Sequence, residues 1–195
     1  MKSLNLKEKE VFIKDSLQNV TIADFEKLLT ITNVNKYEDE IDKQVEILSV
    51  LTNLNIDELE SLELADFLEL NNYINKLNLN DFNLNENQGI NDFIFINKIY
   101  RAKSLPKDFK LNVKEMKIIK NEVKISELGY LSKLAAIIYR DVLNDDSLDN
   151  DLTDETILYK SNIFKDNMTM DFIAPYLLTI TDYLLENDKH TKILG

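Results

Sequence analysis

Apolar residues return every three or four positions along most of this chain, the spacing that gives a helix one dry face. Thr21-Ile-Ala-Asp24 offers a hydroxyl and a carboxylate to orphan first-turn amides and opens a helix running to about Leu29. From Tyr37 the stripe is Tyr37, Ile41, Val45, Leu48 and Leu51, with Glu38, Asp42 and Glu46 opposite. Asn55 and Glu58 stand at capping-box spacing and open a short helix through Leu59 and Leu62. A further stripe holds Leu64, Phe67, Leu70, Ile74 and Leu77. Helices this short and closely joined pack on one another, so Leu48, Leu51, Leu59, Leu62 and Phe67 are expected to share one small core.

The pattern breaks at the Asn-rich stretch 80–92, which reads as a linker or long loop. Phe93-Ile-Phe-Ile-Asn-Lys-Ile-Tyr100 is then rich in β-branched and aromatic residues, and Phe109, Leu111 and Val113 alternate with Lys110 and Asn112. With Pro106 between them, these two runs read as a β-hairpin. Asn112 and Glu115 can cap a short helix carrying Met116 and Ile119. Ser126 is the expected N-cap of the next helix, with Leu128, Leu131, Ala135, Ile138 and Val142 on its stripe and Leu134 and Ile137 widening it. After an acidic loop at 145–154 come a helix to about Phe164 and a last one starting near 169–171, carrying Ile173, Leu177, Ile180 and Leu184. Pro175 fits the last helix if Asp171 is its N-cap, because first-turn amides have no helical acceptor to lose; otherwise the helix starts at Pro175. The fold expected is mainly α: an N-terminal helical module (1–79), the linker (80–92), then a small hairpin with a C-terminal helical bundle (93–195).

Composition narrows the chemistry. The chain has 195 residues, is 44% hydrophobic and carries a net charge of −12, so it can bury a core, and as a whole it repels nucleic acid and anionic membrane. It has no cysteine, hence no disulfide, thiolate nucleophile or Cys-based zinc site. The first ten residues are charged throughout and read as no signal segment, and no run approaches the roughly 18 apolar residues of a membrane span. Three glycines are too few for a phosphate-cradling loop.

Three groups could suggest chemistry. His190, the sole histidine, sits in a polar tail without a nucleophile beside it and reads as solvated. Asp145 to Asp151 begins like a calcium loop, but Asn150 stands where a glycine is needed and Thr156 where the bidentate glutamate belongs. Glu58, Glu60, Glu63, Asp66 and Glu69 alternate with apolar positions and read as an exposed face rather than an acid–base pair. No catalytic residue, cofactor or metal site is expected.

Charge is segregated. Residues 98–124 hold nine basic residues against three acids, net +6, whereas residues 35–70 hold eleven acids against two lysines, net −9. Lys98, Arg101, Lys103, Lys107, Lys110, Lys114 and Lys117 are therefore the expected partner-binding residues, with an acidic protein surface preferred to nucleic acid for want of a base-reading motif.

One segment carries a resemblance. Ile47-Leu-Ser-Val-Leu-Thr-Asn-Leu54 through Glu58-Leu-Glu-Ser-Leu-Glu-Leu-Ala-Asp66 is similar to the "ILxxLTGL…EELxxLxLAD" segment of tail assembly chaperones and related small helical proteins of tailed bacteriophages. The family's glycine is Asn53 here, which tolerates the left-handed backbone expected at that point. The second half looks like longer members, with a hairpin followed by a helix of the Leu131-Ser-Lys-Leu-Ala-Ala-Ile-Ile-Tyr139 type. The resemblance implies a non-enzymatic phage protein in the virion near tail or portal, or a tail assembly chaperone in the cytoplasm of the infected host. Its partners would be other phage structural proteins or copies of itself, not a membrane. The alternative is an acidic inhibitor whose carboxylates imitate DNA phosphates toward a host nucleic-acid-binding protein.

Overall fold

The structure, a computed structural model, describes residues 1–6, 9–33, 37, 39–76, 92–122, 129–177 and 179–180. The chain forms two compact units, Met1–Asn83 and Leu84–Gly195. It is mostly helical, with two small antiparallel sheets, so it is mixed rather than purely helical.

The first unit opens with a hairpin that helical periodicity does not foreshadow. β1 (Lys2–Leu6) pairs with β2 (Lys9–Ile13) in the register Lys2↔Ile13 to Leu6↔Lys9. Leu6, Val11 and Ile13 turn inward, the strand period of two, while Lys9 and Phe12 face water. Four helices follow: α1 (Ile22–Asn33), α2 (Glu40–Leu51), α3 (Ile56–Glu60) and α4 (Leu64–Asn75). The hairpin is tied to the α2–α3 connection, where Lys14 N donates to Leu51 O at 2.8 Å and Phe12 N donates to Asn53 Oδ1 at 2.8 Å.

The expected caps form. Thr21 and Asp24 exchange bonds at the head of α1, and Asn55 and Glu58 at the head of α3. Leu48, Leu51, Leu59 and Phe67 are buried, joined by Val45, Leu54, Leu70 and Ile74. Four side chains depart from expectation. Leu62 is only half-buried, and Ile41 and Leu64 are exposed because each lies in the first turn of its helix, outside the packed face. Glu46, expected on the polar side, is half-buried and accepts from Tyr37 Oη at 2.6 Å. Asn53 is not left-handed: the non-glycine residues with positive φ among those described are Ile96, Asn97 and Asp146.

The second unit corrects the expected hairpin. β3 (Phe93–Phe95) pairs with β4 (Lys98–Ala102) across the two-residue turn Ile96-Asn97, so both strands come from the first apolar run. Residues 109–113, expected as the second strand, leave a 3₁₀ turn (Pro106–Asp108) and enter α5 (Val113–Glu122) instead. Pro106 sits at the first position of that turn, where its fixed φ suits it. A third strand, β5 (Tyr139–Asp141), pairs with β4 and ends α6 (Tyr130–Ile138) four residues before the expected limit.

α7 (Asp154–Asn167) is capped by Thr153, and helical backbone over 170–177 forms α8. Pro175 therefore lies past the first turn of α8, not within it, and Asp171 is inside the helix rather than at its cap. The linker up to residue 91, Leu77, Ser126, Leu128, Leu184 and His190 lie outside the described residues.

Strand alternation gives the sheet two faces. Phe93, Tyr100 and Tyr139 point to the aromatic core of α7 and α8, with Phe93–Phe164 at 5.5 Å, Tyr100–Phe164 at 5.0 Å and Phe93–Phe172 at 5.6 Å between ring centroids, all edge-on. The opposite face carries the cross-strand pairs Ile94–Ile99 and Arg101–Arg140.

Candidate functional site

The seven basic residues expected to bind a partner divide by what already holds them. Lys98 lies 3.6 Å from Asp141 Oδ2 and 5.4 Å over the Tyr159 ring. Arg101 grips Asp92 with two bonds, Nε to Oδ1 at 2.7 Å and Nη2 to Oδ2 at 2.8 Å, and reaches Asp146 at 3.0 Å. This fork raises the Arg101 pKa and lowers that of Asp92. Lys103 turns inward, donating to Glu115 and to the Lys110 carbonyl, with its ammonium 4.7 Å from the Phe109 ring centroid. These three cations are thus engaged within the unit. Lys107, Lys110, Lys114 and Lys117 are exposed, and no ion pair among the described residues engages them.

A capping box explains why α5 presents its lysines outward. Asn112 N donates to Glu115 Oε2 at 2.8 Å and Glu115 N donates to Asn112 Oδ1 at 2.9 Å, fixing the first turn. Glu115 and Ile119 then face inward, and Lys114, Lys117 and Lys120 face water. The same Glu115 receives Arg140 Nη2 at 2.9 Å. Arg140 is 1% exposed and its Nη1 donates to Ala136 O at 3.3 Å. Burial pulls its pKa down, opposed by the Glu115 charge.

On the other face of the sheet Lys160, also 1% exposed, donates to Tyr139 O at 3.4 Å and lies 3.9 Å from Asp141 Oδ1. Burial and then the Arg140 charge push its pKa down to about 8. Tyr100 is pushed up to about 12 by burial and by Asp141.

Sequence reading did not single out Glu115, Arg140 or Lys160 as a charge cluster. The signal was a lone arginine directly after the apolar stripe Leu131 to Ile138: a cation held in such a run requires a carboxylate. It also missed an exposed apolar row on the α5 side of the sheet, where Ile94 is 66%, Ile96 77% and Ile99 39% exposed. Ile96 has φ 44° and Asn97 φ 64°, the left-handed pair a two-residue hairpin turn requires. Asparagine suits it; a β-branched side chain does not.

No family model, no curated protein and no solved structure matches this chain.

The other candidate groups have local roles. Asp145 accepts from Ser147 N and Oγ, Asp149 from Asp151 N, and Asp151 from Thr153 N and Thr156 Oγ1, so these carboxylates shape the loop and brace the Thr153 cap of α7. Hydrogen bonds hold Asp145 and Asp151 below the usual carboxylate range. Glu58 closes the α3 capping box and pairs with Lys9. Among the described residues no three His, Cys, Asp or Glu side chains are grouped to hold a metal ion, and no helix is long and apolar enough to cross a membrane. An open groove of about 500 Å³ between β1 and α4 is lined mainly by Leu4, Ala65, Leu68 and Tyr73.

Proposed function

We propose that this chain is a non-enzymatic tailed-phage protein that acts by protein–protein contact, in the particle or in its assembly. The observation that carries the contact reading is the α5 side of the second unit. There the exposed Ile94, Ile96 and Ile99 stand on the side of the sheet where Arg140 meets Glu115 of α5, and Lys107, Lys110, Lys114 and Lys117 stand on and before that helix. Exposed apolar side chains, with exposed lysines that no ion pair among the described residues holds, suit a protein partner better than solvent. The phage assignment rests on the resemblance of residues 42–68 and on nothing else.

The test is amine-directed cross-linking in phage-producing cells, followed by mass spectrometry of lysates and purified particles. The expected result is Lys107–Lys117 peptides joined to a phage protein. A chain absent from particles and cross-linked to no phage protein would sink the proposal.

A further inference from the structure

We infer that the partner surface on the second unit accepts the acidic helical module of a second copy of this chain, an inference that rests on the contact reading above. The complementarity is double. The α5 side offers the exposed Ile94, Ile96 and Ile99 on the side of the sheet where Arg140 meets Glu115, and the exposed Lys110, Lys114 and Lys117 on and before α5. The first unit offers Ile56 next to Asp57 at the start of α3, and Leu64 and Leu68 on α4 with Glu69 following; the three apolar side chains are 43%, 69% and 48% exposed, and Glu60 is also exposed. Residues 35–70 carry net −9, while Lys107, Lys110, Lys114, Lys117 and Lys120 stand exposed on and before α5, so the two surfaces differ in sign. The whole chain, at −12, repels its like. That repulsion acts over distance and is screened beyond about 10 Å at 0.1 M salt, whereas carboxylate–ammonium pairs in contact are screened far less.

Such a contact is heterologous: each copy uses one surface to give and another to receive, so assemblies grow by rotation into a ring or by translation into a filament. Copies joined this way keep one acidic and one basic surface free at the ends of any open chain.

The experiment is sedimentation velocity on the full chain over a concentration series in about 0.1 M salt. Wild type should show a sedimentation coefficient that rises with concentration. Lys110→Glu/Lys114→Glu/Lys117→Glu should weaken association about tenfold or more, and so should Glu60→Lys/Glu69→Lys, because each puts like charges in contact. Mixing the two variants should restore association, since the intact acidic face of the first meets the intact basic face of the second. Circular dichroism on each variant establishes that it is folded, and these exposed positions leave folding intact. A wild type that stays monomeric, variants that associate as wild type does, or a mixture that fails to recover would each overturn the self-docking. So would a lysine face that retains duplex DNA in a gel-shift assay while the chain remains monomeric. A monomeric chain that still cross-links to another phage protein through Lys107–Lys117 overturns only the self-docking and leaves the contact reading standing.

Discussion

Glu115 holds three demands at once: it closes a helix cap, neutralises Arg140 and receives Lys103. Replacing it with alanine leaves a guanidinium that is 1% exposed without its carboxylate, at an expected cost of about 3–5 kcal/mol. Urea unfolding followed by near-UV circular dichroism measures this, and a loss below about 1 kcal/mol would mean that Arg140 finds another partner or water. Lys160 makes a prediction about pH. Its folded pKa of about 8 lies below the unfolded value, so between these limits the unfolded chain binds more protons and stability rises with pH. Tyr100 and Tyr176 act oppositely: with folded values near 12 they lose stability as pH climbs past the unfolded tyrosine value of about 10. Stability of the second unit should therefore climb from about pH 8 and turn over near pH 10. Lys160→Met should abolish the climb and keep the turnover. A wild-type profile flat between these limits would show that Lys160 stays charged without cost.

Single residues explain which elements were legible. Three capping boxes, at Thr21, Asn55 and Asn112, were readable because each is a short-range chemical pattern: a side-chain acceptor and a carboxylate three residues apart. The buried stripe of α2 and α4 was readable from periodicity, with Leu48 and Phe67 inside, and truncating either to alanine should cost about 2–5 kcal/mol. Ile41→Ala and Leu64→Ala, on first turns outside that stripe, should stay within about 0.5 kcal/mol of wild type by the same urea titration. The strands were harder. β1 and β2 are only five residues each, so their alternation is short. β5 is three residues at the end of an apolar helix, where pairing with β4 overrides a continuing helical pattern. The β3–β4 turn hid because isoleucine is a poor left-handed residue. Ile96→Gly should relieve that cost and raise stability by up to about 1 kcal/mol while weakening partner contact, a split that a purely structural turn would not show.

For the whole molecule, the partner-binding expectation was legible only as charge. The sequence counted nine cations from Lys98 to Lys124, but could not say that Lys98, Arg101 and Lys103 already answer Asp141, Asp92 and Glu115, because ion pairs between distant residues leave no periodic trace. The structure divides the chain into Met1–Asn83 and Leu84–Gly195, and the core of the second unit is built around rings. That second core contains Tyr100, Tyr139 and Tyr176, all buried, all with phenols pushed upward by burial, in a chain without tryptophan. The protein consequently carries its own optical clock. After a jump to strongly alkaline solution, these three buried rings form tyrosinate only when the core parts. The slow phase of tyrosinate absorbance thus times the opening of one unit, with no dye attached.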